Sequence, residues 1–281
     1  MVKRLVVNVG RTVPKIVRCS AEDVAVGKIQ RRRAIMHVTM HKTMHLKQRD
    51  GALDLLKWLA LLSMVLDHLR YVGYSFDWLY VPGRLAFAWF CLAMAVNLAR
   101  GREVTTGNQW RYLGWLVLFS AVSELPYRLF IAEHDTLNVM PTLVLGLLVA
   151  RGWQDRTSQA RWLAAGALLL AVVFSQWLMF GFFGVLLPLV MLRVLRRPWY
   201  FALLAGLVCL AANQWQVLFQ AARQGNGVAI PAIVACLFAP WLGLFLLRQA
   251  KGVKPPPMRR WAYALYPVHF LVLLALRQVI A

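Results

Sequence analysis

The sequence has little charge, few acidic residues and few cysteines, and each shortage excludes a class of protein. Asp, Glu, Lys and Arg make up 15% of the 281 residues, whereas soluble domains carry about 25%. An ordinary soluble fold is therefore excluded. Only 11 residues are acidic, against 32 Lys and Arg. The four cysteines are Cys19, Cys91, Cys209 and Cys236. They are too widely spaced for a zinc knuckle or a disulfide framework, and no metal is expected.

Apolar residues dominate the chain instead. They account for 60% of it, and the mean hydropathy is +0.57. This composition predicts an all-α, polytopic integral membrane protein. A net charge of +21 is also typical of nucleic-acid binders, but here the cations lie in the N-terminal tail and in short loops between apolar runs. The positive-inside rule produces this distribution, so the expected partner is the lipid bilayer and not a nucleic acid.

Residues 1–50 differ from the rest of the chain. They hold twelve Lys or Arg against three acids, with no apolar run long enough for a span or a signal peptide. We expect a basic, disordered cytoplasmic tail, or an upstream extension of a chain that starts at Met36, Met40 or Met44. A basic arm that touches anionic lipid is the alternative. Residues 51–281 are expected to form the transmembrane bundle.

Nine segments of this bundle are candidate helical spans, each of which needs about 20 apolar residues; the plausible range is eight to ten. The fifth and sixth form one apolar run interrupted at Ser175, Gln176 and Gly181, which predicts either a tight hairpin or one bent helix. The nine lie near residues 54–73, 80–99, 112–131, 137–151, 162–178, 181–195, 199–218, 228–248 and 260–280.

Loop charges predict the orientation of these spans. The connections near 100–111, 151–161, 193–198 and 248–260 are rich in Lys and Arg. The alternate connections hold mainly acids and a single cation, Arg223. With nine spans, every basic loop falls on the side of the basic N-terminus. The N-terminus is therefore predicted to be cytoplasmic and the C-terminus external.

Several polar residues interrupt the spans at similar depth. His68 lies about 20 Å along the first helix at 1.5 Å per residue, past the bilayer midplane, and Lys57 shares its face three turns nearer the cytoplasm. A charge at the helix centre costs about 2.5–3.5 kcal/mol on insertion scales, so such residues face the bundle interior and mark functional sites. Those predicted between the midplane and the outer interface are Asp67, His68, Arg84, Glu124, Arg128, Asn138, Tyr266 and His269.

These residue types suit acid–base chemistry. A carboxylate beside an imidazole fixes its tautomer and raises its basicity, as a general base requires, and Arg or Tyr can stabilise an oxyanion. Neighbours on a helix point about 100° apart, so Asp67 is not expected to orient His68. Asp67 is expected to pair with Arg84 or His269, and Glu124 is an alternative partner for His68.

A purely structural role is the competing interpretation. Glu124 and Arg128 are four residues apart and able to pair on one helix face. For Glu124, Arg128 and Asn138, a structural role explains the pattern as well as a catalytic role does. Asp67 and Arg84 could likewise form a purely structural ion pair. The two histidines at similar depth favour chemistry.

The first two spans resemble a known family. The run LDLLKWLALLSMVLDHLRYV, followed by PGRLAFAWFCLAMAVNLARG, is similar to the start of the TraX family, the F-type pilin acetylases, with which the TrbP-like conjugal transfer proteins belong. The family pattern is Lys, then Asp-His, Gly-Arg, Phe and Asn-Leu. The matching positions are Lys57, Asp67, His68, Gly83, Arg84, Phe87, Asn97 and Leu98.

Later segments extend the resemblance over residues 53–280. SELPYRLF and LNVM are similar to the family's Ser-Glu-x-Pro segment and the Asn that follows it. FGFFGV and LYPVH are similar to its Gly-x-x-Gly-Val and Tyr-x-x-His segments, the latter through Tyr266 and His269. An acid often found before the glycine segment is replaced here by Leu178 and Met179.

The resemblance implies an acetyltransferase embedded in the bacterial inner membrane. It would use acetyl-CoA as co-substrate to acetylate the N-terminus of a conjugative pilin subunit. The expected roles are base for His68, with His269 second; oxyanion stabilisation for Arg84 and Tyr266; orientation for Asp67 or Glu124; CoA phosphate binding for Lys57; and substrate or structural contacts for Asn97, Arg128 and Asn138.

Three other functions fit the pattern. An O-acyltransferase acting on an envelope glycan or lipid would keep the chemistry and change the acceptor. A proton-coupled transporter would use the acids and histidines as a relay, but it predicts inverted repeats, and the early and late helices share no similarity. A non-catalytic pilus-assembly factor would tolerate loss of His68.

Overall fold

The computed structural model describes residues 51–73, 76–101, 107–131, 135–250, 252–258 and 261–280. All of them belong to one unit, Asp50–Ala281. The predicted basic tail, residues 1–50, lies outside the described residues.

The described part of the chain is all-α, as predicted, with ten α-helices and three short 3-10 turns. The turns are Asp77–Leu79, Ser175–Trp177 and Trp199–Phe201. The helices are α1 (Gly51–Leu69), α2 (Tyr80–Gly101), α3 (Gly107–Phe130), α4 (Val139–Asp155), α5 (Ser158–Val173), α6 (Gly181–Val194), α7 (Ala202–Ala212), α8 (Trp215–Arg223), α9 (Ala229–Gln249) and α10 (Ala262–Ile280).

Every predicted apolar segment contains a helix, but the seventh is bent and not one continuous helix. Residues 199–218 break after α7, and α8 leaves at 80° to it. Gln214 lies at the break in the left-handed conformation, with φ of 55°. The fifth and sixth segments form two helices, because the turn Ser175–Trp177 and Gly181, at φ +55°, reverse the chain between α5 and α6.

Length and hydropathy identify fewer spans than expected. Three helices of the described chain are long and apolar enough to cross a membrane: Asp77–Arg100, Ala229–Gln249 and Ala262–Ile280. The bent pair of α7 and α8 makes a fourth if it counts as one span. The nine predicted crossings are therefore not confirmed. α5 and α6 are apolar but shorter, at 16 and 14 residues.

Helix α2 lies at the centre of the packing. It contacts α1, α6 and α9 extensively and α4 to a lesser degree, and Cys91 and Leu92 are fully buried on it. Trp89 donates a hydrogen bond from Nε1 to the carbonyl of Ala239, at 2.9 Å. Gly243 of α9 lies against Trp89 and Leu92, where a Cβ would come within 2.7 Å of a Leu92 methyl carbon. The two helices can approach because this position has no side chain.

The outward faces of the other helices are apolar. Leu125 of α3, Trp162 of α5 and Val272 of α10 are each more than half exposed. An extended apolar surface is unusual for a soluble monomer and is what a lipid environment accommodates.

Candidate functional site

Two histidines meet across the bundle. His68, near the end of α1, and His269, in the middle of α10, are joined by a hydrogen bond of 2.8 Å between Nδ1 of His68 and Nε2 of His269. The ring planes are 11° apart and the centroids are 5.1 Å apart, so the rings meet edge to edge. A contact this short needs one proton between the two nitrogens.

A backbone carbonyl sets the direction of this hydrogen bond. Nδ1 of His269 lies 3.2 Å from the carbonyl oxygen of Leu265. Because a carbonyl only accepts, Nδ1 carries the proton, and in the neutral ring Nε2 is then the acceptor. His68 must therefore donate from Nδ1, which leaves the lone pair of its own Nε2 free. Among the described residues, this nitrogen has no hydrogen-bond partner.

Aromatic rings enclose the pair. The ring of Phe270 lies 4.9 Å from that of His68 and 4.0 Å from that of His269. Phe130 approaches His68 edge-on at 6.4 Å, and both phenylalanines are fully buried. His269 is 8% exposed. The two phenylalanines therefore offer the histidine pair no hydrogen-bond partner.

Asp67 faces the other way, into an ion-pair cluster. Its Oδ2 lies 2.9 Å from Nη2 of Arg84, and its Oδ1 lies 2.9 Å from Nε of Arg70. The Arg70 contact is an ion pair only, because that N–H donates to the backbone carbonyl of Asp67. Of the two partners considered for Asp67, Arg84 is the one that it contacts, and His269 is not.

Arg84 is held on several sides. Nη1 donates to Oδ1 of Asn213 at 2.6 Å, and Nε donates to the carbonyl of Tyr80 at 3.3 Å. The guanidinium also stacks on the Tyr80 ring, 3.8 Å from its centroid. With Nη2 on Asp67, this geometry ties α1, α2 and the end of α7 together.

The glycine of the Gly-Arg pair has a steric role. A Cβ at Gly83 would lie 2.5 Å from Cβ and from Cγ of Asp67, closer than real side chains approach. At Gly114 of α3 a Cβ would meet nothing within 4 Å. Glycine at position 83 therefore allows α1 and α2 to come close enough for the Asp67–Arg84 pair to form.

Replacing Gly83 by alanine is expected to destabilise the protein by about 1–3 kcal/mol, the usual cost of overpacking. The matched change, Gly114→Ala, is expected to be neutral or stabilising by up to about 1 kcal/mol, because alanine is the better helix former. Thermal unfolding of both variants in detergent measures the difference. Equal melting temperatures for the two variants would contradict the close approach at Gly83.

Glu124, which was one alternative partner for His68, contacts Arg128 and Asn138 instead. Its Oε1 pairs with Arg128 at 2.7 Å, and its Oε2 accepts from the side-chain and backbone nitrogens of Asn138, at 2.6 and 3.1 Å. Asn138 caps α4 through Oδ1, which accepts from the N–H of Met140. This arrangement joins the later part of α3 to the start of α4 and fits the structural interpretation.

Tyr266 lies between this cluster and the histidine pair. Its hydroxyl oxygen accepts from the N–H of Val139 at 3.3 Å, and its ring lies 5.4 Å from that of His269. Within the described residues, the hydroxyl hydrogen of Tyr266 has no acceptor. A phenol in this state can donate to a group that enters the space beside it.

A cavity of about 610 Å³ lies along α1 from Lys57 to Met64 and reaches Tyr266 on α10. Its polar end holds Lys57, Asn97 and Arg111, and Lys57 Nζ lies 3.5 Å from the carboxylate of Asp54. Lys57 is seven residues before Met64, so the two ends are about 10 Å apart at 1.5 Å per residue. The cations suit an anionic group at the mouth.

The walls and the inner end of this cavity are aromatic and apolar. Phe90, Trp115 and Tyr263 line its length, and Met64 and Tyr266 lie at its inner end. Met64 and Tyr266 precede His68 and His269 by four and three residues, about one helical turn. The cavity therefore ends one turn short of the histidine pair. Its shape suits an elongated, mostly uncharged chain with an anionic head.

Two residues of this region were missed by sequence reasoning. Asn213 is buried and holds Arg84, and Arg111 lines the mouth of the cavity. Asn213 interrupts an apolar run, which is the signal that identified the other buried polar residues. Arg111 gave no such signal, because it was counted only as a loop cation.

Comparison with known proteins gives the family. The model of the family described as TraX protein matches residues 52–277. Protein TraX of Escherichia coli is 27% identical over 165 residues, which are 58% of this chain and 64% of that relative. The chain thus aligns with less than two thirds of this curated relative, and no solved structure matches it. Because the family match spans most of the chain, including α1 with His68 and α10 with His269, the chain belongs to the TraX family.

Proposed function

We propose that this protein is a membrane-embedded acetyltransferase of the bacterial inner membrane. It transfers the acetyl group of acetyl-CoA to the N-terminal amine of a conjugative pilin subunit. The acceptor is inferred from the family. The observation that carries the chemistry is the free Nε2 of His68, one helical turn beyond the cavity that ends at Tyr266.

The cavity is proposed as the donor site. Lys57 and Arg111 at its mouth would bind the phosphates of CoA, since Lys and Arg are the usual partners of anionic phosphate. The pantetheine arm would lie along Phe90, Trp115 and Tyr263, because a ligand chain of low charge is best held by apolar walls with few polar contacts. The thioester would then lie at the inner end, beside Tyr266.

The proposed reaction is direct attack of the amine on the thioester carbonyl. The α-ammonium group has a pKa of about 7.7–8.0, so it gives one proton to water at modest cost and enters the site as the neutral amine. As the nitrogen–carbon bond forms, a second proton passes from this nitrogen to Nε2 of His68, which acts as general base, and the carbonyl oxygen becomes an oxyanion. Collapse of this intermediate breaks the carbon–sulfur bond, and the CoA thiolate takes the proton back from His68.

The chain's own groups have distinct parts in this step. His269 accepts from Nδ1 of His68 and so stabilises the imidazolium that forms. The Tyr266 hydroxyl donates to the oxyanion; it is favoured over Arg84, which does not line the cavity. A covalent acyl-enzyme is not needed. Cys91, seven residues after Arg84 in α2, is fully buried and does not line the cavity.

The function is tested with membranes that contain the protein, labelled acetyl-CoA and mature pilin. Mass spectrometry of the pilin N-terminus is expected to detect the labelled acetyl group, and membranes without the protein are the control. Label on an envelope glycan or lipid, with unmodified pilin, would replace this proposal with the O-acyltransferase. If no acetyl group were transferred to any acceptor, the proposed acetyltransferase activity would be refuted.

Narrowing the cavity is expected to weaken donor binding. Ala93 lines the cavity and is 4% exposed, so leucine there adds three carbons to its wall. We expect the KM for acetyl-CoA to rise about tenfold or more, as for a crowded hydrophobic pocket. The matched change Ala165→Leu, at an exposed position of α5, is expected to leave KM unchanged. An unaltered KM in a folded Ala93→Leu variant would exclude this cavity as the donor site.

A further inference from the structure

The junction of α7 and α8 places a buried amide against the ion-pair cluster. Asn213 follows the last residue of α7 and is 5% exposed. The next residue, Gln214, is left-handed, and the chain turns by 80°. A polar side chain at such a break can leave the local backbone and reach another helix.

Both ends of the Asn213 amide are engaged. Oδ1 accepts from Nη1 of Arg84 at 2.6 Å, and Nδ2 donates to the carbonyl of Cys209 at 2.8 Å. The assignment of the amide is fixed, since a guanidinium only donates and a carbonyl only accepts. One end therefore serves the local helix, and the other reaches across to α2.

The contact with Arg84 leads to His68 through one further ion pair. Arg84 binds Asp67 at 2.9 Å, and Asp67 directly precedes His68 in α1. The two side chains point about 100° apart on the same helix. Because they turn together with that helix, a rotation of α1 that displaced Asp67 would turn His68 away from His269 by the same angle.

We propose that Asn213 is a positioning residue, which holds Arg84 and through it the rotation of α1 that presents His68 to His269. This inference deepens the proposed function and rests on it for its kinetic test. Asn213 itself contacts neither histidine. Tyr80 supports the same guanidinium by stacking on Arg84.

Two substitutions separate this role from a local one. Asn213→Ser is too short to reach Arg84, but its hydroxyl can still donate to the carbonyl of Cys209, four residues earlier. Asn213→Asp keeps an oxygen for Arg84 and loses the donor to Cys209. If Asn213 acts through Arg84, Asn213→Ser has low acetyl-transfer activity and Asn213→Asp stays active. If only the bond to the Cys209 carbonyl matters, the reverse is expected. Gln216→Ala, at an exposed amide of α8, is the matched control.

Steady-state acetyl transfer is the first measurement. We expect Asn213→Ser to lower kcat about 10- to 100-fold, the range for a small misplacement of a reacting group, with the KM for acetyl-CoA unchanged. Asn213→Asp should keep most of the wild-type kcat. A serine variant as active as wild type, or an aspartate variant as poor as the serine one, would overturn the positioning role.

A second measurement does not depend on acetyl transfer. Diethyl pyrocarbonate acylates free imidazole nitrogens, and mass spectrometry gives the rate at His68 relative to the histidines of residues 1–50. We expect this relative rate to change severalfold in Asn213→Ser and to stay near wild type in Asn213→Asp. Unchanged rates in both variants would refute the positioning role. A changed rate in a protein that transfers no acetyl group would support it and reject only the proposed enzyme.

Discussion

Replacing His68 by alanine is expected to lower acetyl transfer by about 10²–10⁴-fold, the usual contribution of a general base. The free lone pair of the histidine pair is on Nε2 of His68, because Leu265 and His269 commit the other nitrogens. No other described group offers a free imidazole nitrogen beside the cavity's inner end. The measurement is labelled acetyl incorporation into pilin at equal protein level.

His269 provides the matched comparison. In His269→Gln, the side-chain oxygen can still accept from Nδ1 of His68, and we expect most of the activity to remain. In His269→Ala this acceptor is lost. We expect its loss of acetyl-transfer activity to lie between the losses in His269→Gln and in His68→Ala. Leu62→Ala, at a position of α1 that is 55% exposed, controls for changes to the helix. If transfer by a folded His68→Ala variant stayed within threefold of wild type, His68 would not be the base.

Removing the carboxylate of Asp67 alone is expected to lower the free energy of unfolding by about 3–5 kcal/mol. This is the usual cost of leaving one charge of a buried pair without its partner. The side chains of Asp67 and Arg84 are 14% and 11% exposed, so Asp67→Ala leaves the guanidinium with only neutral partners, Asn213 and Tyr80. Unfolding in detergent micelles, followed by circular dichroism, measures the change.

Two controls identify the cause of this loss. The double change Asp67→Leu with Arg84→Met is expected to cost less than Asp67→Ala, because apolar replacement of a buried pair is often neutral. Arg128→Ala breaks a pair whose Arg side chain is 47% exposed and should cost about 0–1 kcal/mol. Equal losses for Asp67→Ala and Arg128→Ala would contradict the importance of the buried pair.

The helices were predictable because their signal is local. Apolar runs separated by charged loops fix where a helix begins and ends, and each predicted segment near 54–73, 80–99 or 260–280 contains a helix. The break at Asn213 was missed, because a polar residue that interrupts an apolar run does not by itself show that the helix ends there. It depends on the left-handed Gln214 and on the contact with Arg84, which lies 129 residues away in sequence.

The candidate site was predictable in its residues and only in part in its pairings. A polar residue in an apolar run is visible in the sequence, so His68, Arg84 and His269 were all identified. Which of them meet depends on how each helix is rotated about its axis. Packing between distant segments decides that rotation: His68 and His269 are separated by 201 residues. The same limit left the partner of His68 open, with Glu124 as one of the alternatives.

The carbonyl of Leu265 gives the histidine pair a fixed polarity, which decides which nitrogen of His68 stays free. A backbone carbonyl has no second protonation state, so the chain of hydrogen bonds cannot reverse. The nitrogen of His68 that stays free is therefore always Nε2, and His269 stays the acceptor within the pair. In the proposed reaction, the proton of the amine thus has one defined destination in every turnover.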